Sequence, residues 1–180
     1  MSKRGKDKKA SIRTKDGQDR KPATQEQPAV KNGWTLYAHP VLLDQLDKLK
    51  RRVVQNNNAD GDAAKVLAWL VRAMFDEVPQ DPTLQVYRQG KTLGKGKTHW
   101  FRDKYAGRFR LFFRFSLSAK VIIYGWVNDE NSLRTYGSKT DAYQVFKNML
   151  EKGAPPNEWD VLVKESSSDR AIERLKSEKA

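Results

Sequence analysis

Residues 108–115 read RFRLFFRF, and this alternation constrains the chain more than any other segment. At a period of two, Phe109, Leu111, Phe113 and Phe115 fall on one side, while Arg108, Arg110 and Arg114 fall on the other with Phe112. A helix would scatter the three arginines around its surface. A strand segregates them, so the segment predicts a sheet with one core face and one cationic face. In the preceding WFRDKY, the same geometry groups Trp100, Arg102 and Lys104, and Ala106-Gly107 supplies a turn that sets them opposite the arginines. VIIYGWV, from Val121 to Val127, is apolar on both faces and reads as a central strand, with Tyr124 and Trp126 as packing residues.

Helical periodicity flanks these strands. After Trp34, Leu36 and Tyr37, His39 is held extended by Pro40, which suits a helix start, and His39 reads as structural. Leu42, Leu46, Leu49 and Val53 form one stripe, and QNNNADGD interrupts it. A second stripe runs through Val66, Leu67, Leu70, Val71, Met74, Phe75 and Val78 and stops at Pro79 and Pro82. The pair predicts an antiparallel helical hairpin that covers the sheet. Asp141 opens a third helix that buries Tyr143, Phe146, Met149 and Leu150 and ends at Gly153, before Pro155-Pro156. The expected organisation is a disordered basic tail over 1–32, one α+β domain over 33–163 and a charged tail, helical at most in part, over 164–180.

Charge then narrows the partners. Thirty-five Lys and Arg face 22 Asp and Glu in 180 residues, a net charge of +13 that attracts polyanions. Ten basic and four acidic residues lie within 1–32, leaving +7 for the rest. With no cysteine and only two histidines, disulfides, thiolate zinc sites and His-rich metal centres are not expected. The basic N-terminus has no apolar core of a signal peptide, and no stretch is long enough to span a bilayer, so a soluble cytoplasmic protein without a membrane partner is expected. QGKTLGKGKT, residues 89–98, contains Gly-Lys-Thr twice but lacks the glycine spacing and the strand-to-helix context of a phosphate loop. It reads as a mobile basic loop.

Between Lys95 and Arg114 stand seven basic residues and one acidic one. Such density on a sheet is unfavourable without an anion to meet it, because like charges on opposed strands repel. A face with Arg102, Lys104, Arg108, Arg110 and Arg114, interleaved with Trp100 and Phe112, suits the phosphates and bases of single-stranded RNA. Lys95, Lys97 and His99 extend it into the adjoining loop, and His99 is also a candidate for proton transfer.

Four segments in order, NGWTLYAHP (Asn32–Pro40), GRFRLFFRF (Gly107–Phe115), GWVNDENSLRTYGSKTDAY (Gly125–Tyr143) and FKNMLEKGAPP (Phe146–Pro156), resemble the YhaV family of toxins, within the RelE superfamily of small endoribonucleases. The resemblance spans Trp34 to Pro156, about two thirds of the chain. It implies a RelE-like helical hairpin on a twisted antiparallel sheet with a C-terminal helix, and ribonuclease activity that stops translation, on mRNA either free or on the ribosome. It also implies neutralisation by a PrlF-like antitoxin, with operator DNA bound only in that complex, and neither metal nor cofactor. Carried onto this sequence, it makes Lys104 or Arg102 the group that positions or deprotonates the 2′-hydroxyl and Arg110 the ligand of the pentacoordinate phosphate. Tyr136 stacks a base or relays a proton, and Arg134 is a second phosphate ligand. The sequence departs from RelE at Asn128-Asp129-Glu130, where RelE has an arginine. Glu130 is there a candidate base, or else Asp129 and Glu130 cap a helix start or pair with arginines. Two other functions fit the same charge: translation blocked by occupancy without cleavage, and DNA regulation, for which no helix-turn-helix signal exists.

Overall fold

The computed structural model describes residues 25–55 and 61–179. Five strands and five helices succeed one another as β1 (Ala29–Lys31), β2 (Trp34–Ala38), α1 (Pro40–Gln55), α2 (Gly61–Arg72), β3 (Phe101–Tyr105), β4 (Phe109–Ser116), β5 (Val121–Val127), α3 (Ala142–Glu151), α4 (Trp159–Ser166) and α5 (Asp169–Ser177). The sheet order is β1-β2-β5-β4-β3, so β5 lies in the middle, as its two-sided apolarity requires. The fold is α+β. The expectation of a wholly antiparallel sheet is corrected, because β2 pairs with β5 in parallel, Leu36 opposite Ile122. A parallel pair needs a long crossover, and α1, α2, β3 and β4 provide it.

One face of the sheet carries Leu36, Phe101, Leu111, Phe113, Ile122 and Tyr124 against the stripes of α1 and α2, among them Leu42, Leu46, Leu70 and Met74. The expected helical hairpin is present, and α2 continues through a wider turn over Ala73–Glu77 that buries Met74 and Phe75. The sole acidic residue of the basic stretch, Asp103, points to this side, where Trp69 Nε1 donates to it at 2.8 Å. Burial raises its pKa. It thus points away from the cations of the other face, although the charge of Arg102 still acts on it. His39 caps α1 by accepting from Val41 N–H through Nδ1 at 3.2 Å, and its Nε2 lies 2.8 Å from Glu165 on α4, a structural role.

The opposite face carries Trp100, Phe112, Ile123 and Trp126, and α3 and α4 cover it with Phe146, Leu150 and Leu162. Both Tyr124 and Trp126 are buried, but on different sides, because β5 bulges at Gly125: Phe112 faces Trp126 while the next residue, Phe113, faces Tyr124. A Cβ at Gly125 would stand 2.7 and 2.8 Å from the Trp100 ring. Gly125→Ala is expected to destabilise the domain by about 1–3 kcal/mol through overpacking, read as a lower midpoint in urea unfolding. An unchanged midpoint would contradict this account of the bulge.

Both expected domain boundaries move. Ala29–Lys31 is already strand, paired with Trp34–Leu36, so order begins before residue 33; the tail expected over 1–24 lies outside the described residues. At the other end, residue 164 falls inside α4, and α5 buries Ala171, Ile172 and Leu175, of which Ala171 and Leu175 join the α1–α2 core. Ser168 caps α5, and Arg174 bridges Asp44 and Asp47 of α1 at 2.8 and 2.6 Å. No described helix is long and apolar enough to cross a membrane.

Candidate nucleic-acid site

The cationic sheet face expected from RFRLFFRF is divided in two by the helices that lie across it. Trp100 and Phe112 are fully buried against Phe146 of α3, Phe112 stacked on its ring and Trp100 edge-on to it, so neither presents a ring to a base. That is a correction: the interleaved aromatics are core, because α3 and α4 close over the middle of the face. Beside them, Asn157 gathers His99 (3.0 Å) and Trp100 (3.1 Å) on its amide oxygen and Arg114 (2.5 Å) on its carbonyl. The Arg114 guanidinium lies between Trp100 and Trp159 and is brought down to about 10 by burial. His99 is also held below its ordinary value, first by burial and then by the charge of Arg114. The structure thus places His99, Trp100 and Arg114 together as a brace under α4.

The loop of residues 89–98 is pinned. Leu93 is fully buried, Gln89 Nε2 donates to the Lys97 carbonyl at 3.0 Å, and Gln89 Oε1 accepts from Leu93 N–H at 3.1 Å. This corrects the expectation of a mobile loop, since a buried leucine and a two-ended glutamine clamp fix its course. Lys95 is exposed on it and Lys97 partly so.

At the other end of the face the charges converge. Lys104 stands opposite Arg110 in the β3–β4 ladder, and Arg102 precedes it on the same side. The hairpin that joins the strands turns through Ala106 and Gly107, with φ of 46° and 71°. Arg102 is buried and held in place: Nε donates to the Tyr143 hydroxyl at 3.0 Å, and one terminal nitrogen donates to the Val86 carbonyl at 2.5 Å. Arg110 is buried too, and one terminal nitrogen donates to the Phe109 carbonyl at 2.7 Å. Its Nε has no partner among the described residues, an uncommon state for a buried charged donor. Lys104 remains exposed, and its pKa is lowered, first by the charge of Arg102, then by burial and by Arg110; the charge of Tyr136 acts the other way.

The segment after β5 completes the cluster. Asn128 accepts from Arg110 N–H at 2.5 Å and donates to the Arg108 and Ser132 carbonyls at 3.1 and 2.9 Å, sewing the segment to the start of β4. Arg134 N–H donates to the Arg108 carbonyl at 3.0 Å, and exposed Arg108 approaches Thr135 Oγ1 at 3.5 Å. The Arg134 guanidinium sits 3.7 Å over the Tyr136 ring and 4.8 Å over that of Tyr143, and it donates to buried Asp141. Burial works against its charge, but Asp141 outweighs that and raises its pKa. Arg134, expected as a phosphate ligand, is thus paired with Asp141 and lies over the ring of Tyr136. Tyr136 itself is 86% exposed.

Glu130 is not brought to this cluster. It pairs with Arg52 of α1 at 2.7 Å and borders a cavity of about 860 Å³ on the α1–α2 side of the sheet, with Leu49, Tyr105 and Phe109. Asp129 caps the short turn Glu130–Ser132, accepting from Asn131 N–H while Ser132 returns the bond. Capping and pairing with an arginine, the second of the two readings for these acids, is what the geometry contains.

Three contributors were not legible as site residues. Tyr143 has helical spacing and reads as core, yet its hydroxyl holds Arg102. Asp141 is the N-cap of α3, just outside the helix, and also accepts from Thr135 N–H at 2.6 Å. Asn128 is buried at the end of β5. The only sequence signal for them was their place in the Gly125–Tyr143 segment.

A lysine, two buried arginines and an exposed tyrosine, with no carboxylate paired to Lys104, Arg102 or Arg110 among the described residues, make a receptor for a polyanion with groups suited to proton transfer. An α+β domain bearing such a cluster belongs to the class of small basic proteins that act on phosphodiesters. Residues 36–167 match the family model Toxin_YhaV, described as a toxin with endonuclease activity, of toxin-antitoxin system. The chain is 46% identical over 143 residues to the ribonuclease toxin YhaV of Escherichia coli K12, covering 75% of this chain and 93% of that protein. The toxins YhaV of E. coli O157:H7 and of strain CFT073 match to the same extent. No solved structure matches. The chain belongs to the YhaV family of toxins.

Proposed function

We propose that the chain is the toxin of a toxin–antitoxin pair and cleaves RNA by attack of a 2′-hydroxyl on the adjacent phosphate, at the Lys104–Arg110 pair. The observation that carries this reading is the cross-strand pairing of an exposed lysine of lowered pKa with an arginine that no carboxylate neutralises among the described residues. Lys104 takes the 2′-hydroxyl proton, the oxygen bonds to phosphorus, and the positive charge of Arg110, through the terminal nitrogen that the Phe109 carbonyl does not hold, stabilises the charge that accumulates on the phosphoryl oxygens. The P–O5′ bond breaks, and Tyr136 gives a proton to the departing 5′-oxygen. The products are a 2′,3′-cyclic phosphate and a 5′-hydroxyl. Arg102, tied to Tyr143 and Val86, acts on Lys104 through its charge, and Arg134 orients Tyr136. Arg108 gathers the flanking backbone. An antitoxin, PrlF-like by the family resemblance, neutralises the protein in the cell, and operator DNA is bound only in that complex.

The test is purified, antitoxin-free protein with labelled single-stranded RNA in a chelating buffer, followed by end-group analysis. Fragments with 2′,3′-cyclic phosphate ends are expected. Intact but bound RNA, both free and on translating ribosomes, would replace cleavage by occupancy.

The pH dependence follows from the sign of the Lys104 shift. A base works deprotonated, so kcat/KM rises with pH through the lysine pKa, which lies below the ordinary 10.5. Arg102→Met removes the largest cause of the lowering and is expected to move the rising limb to higher pH. A limb in the same place would remove Lys104 from the role of base.

A further inference from the structure

A cleft of about 560 Å³ opens next to this cluster, sharing Asp141 and Tyr143 with it. Its size is that of a small-ligand site, which falls in the range of roughly 300–1,000 Å³. One wall is the pinned loop with Lys91 and Thr92, the other is Ser138 and Lys139, and α3 supplies the floor with Gln144, Lys147 and Asn148. Three lysines from three separate segments thus converge on it. The single acid, Asp141, is already engaged by Arg134 and by the N–H groups of Thr135 and Tyr143. The loop lysines singled out from the sequence, Lys95 and Lys97, do not border the cleft; Lys91 does.

The floor has a second feature. Gln144 Nε2 donates to Asn148 Oδ1 at 2.9 Å. That bond leaves Gln144 Oε1, an acceptor, and Asn148 Nδ2, a donor, uncommitted among the described residues. The edge of an unpaired base sets a donor beside an acceptor, and side-chain amides hydrogen-bond such edges.

Resting on the ribonuclease reading, we infer that this cleft is a subsite for the RNA nucleotide next to the scissile bond. Lys91, Lys139 and Lys147 hold its phosphates and the Gln144–Asn148 pair contacts its base. An acidic peptide would satisfy the lysines but leave the amide pair without a counterpart, and it would not explain why the cleft shares with the cluster Tyr143, whose hydroxyl holds Arg102. The subsite makes the enzyme prefer RNA that extends beyond the cut on one side, and it makes Gln144 a determinant of which sites are cut.

The experiment measures binding of a 2′-O-methyl oligonucleotide, which the proposed chemistry cannot cleave, to the full chain across a salt series. The variants are Lys91→Ala/Lys147→Ala and, as a charge-matched control, Lys164→Ala/Lys179→Ala on α4 and after α5. The first pair is expected to weaken binding at least tenfold and to flatten the plot of log affinity against log salt by about 1.4, since each phosphate that a lysine neutralises on a single strand adds about 0.7 to the slope. The control is expected to change both much less. Thermal unfolding checks that all are folded. Equal effects of the two pairs would overturn the subsite. So would intact RNA binding with weakened capture of the antitoxin, which would assign the cleft to the protein partner. Failure of the unmodified chain to bind the oligonucleotide while it still cuts unmodified RNA, free or on ribosomes, would overturn the subsite alone; neither binding nor cutting would overturn the ribonuclease reading with it, whereas the first two outcomes leave that reading standing. On a long RNA, Gln144→Ala is expected to redistribute cut sites, and an unchanged pattern would remove the base contact.

Discussion

Arg110→Ala is expected to lower kcat/KM for RNA cleavage by roughly 10²–10³-fold, the loss seen when one donor to developing transition-state charge is removed, without unfolding the protein. The fold is expected to survive because the Arg110 side chain ties no two elements together. Among the described residues its side chain bonds to the carbonyl of the residue before it, its Nε is unpartnered, and the register of β4 is held through its backbone N–H by Asn128. Removing it also relieves repulsion with Lys104 across the ladder, so the melting temperature should stay level or rise. The same relief raises the Lys104 pKa, because Arg110 is one cause of its lowering, and the pH limb of residual activity should shift upward. Steady-state cleavage with a circular-dichroism melt checks both halves. A folded variant with full activity would remove Arg110 from the chemistry.

Asp141→Ala should have the largest effect on stability. Asp141 is buried and satisfies three groups at once: it caps α3 through Tyr143 N–H, accepts from Thr135 N–H, and pairs with the Arg134 guanidinium. Its loss strands a largely buried arginine, which costs about 3–5 kcal/mol when one partner of a buried pair is removed, and the missing cap adds roughly 1 kcal/mol. Asp141→Asn keeps the cap but not the charge, so it is expected to recover only part of the loss. Denaturant unfolding of the two variants separates these contributions. An alanine variant as stable as the parent would mean that the Arg134–Tyr136 assembly holds without its anchor.

Some of this was legible from residue order. Alternation in RFRLFFRF places Arg110 with Lys104 because a strand has no other way to arrange such a pattern, and the register pairs them as expected. The same alternation suggests that Trp100 and Phe112 accompany them to solvent. That inference fails because period-two geometry assigns a face and does not say what lies across it. The helix that buries these rings is some thirty residues further on, and its apolar stripe is compatible with either side of the sheet. Arg114 shows the same limit: on the strand it belongs with Arg110, but Trp159 and Asn157 turn it into a structural brace. The charged segment after residue 163 reads as a tail because Ala171, Ile172 and Leu175 form too narrow a stripe among so many charges, although α1 and β2 give that stripe a place to pack.

Local order in the sequence therefore determined the element types, the segregation of apolar and cationic residues on β4, the central place of β5 and the affinity for polyanions. These depend on backbone periodicity and on total charge, which are properties of neighbouring residues. Only the tertiary structure decided which cations form the site. Whether an arginine is free depends on the carbonyl, hydroxyl or carboxylate that the folded chain brings beside it. For Arg102, Arg114 and Arg134 those partners come from distant turns and helices, whereas the Arg110 side chain bonds to the carbonyl of the residue before it.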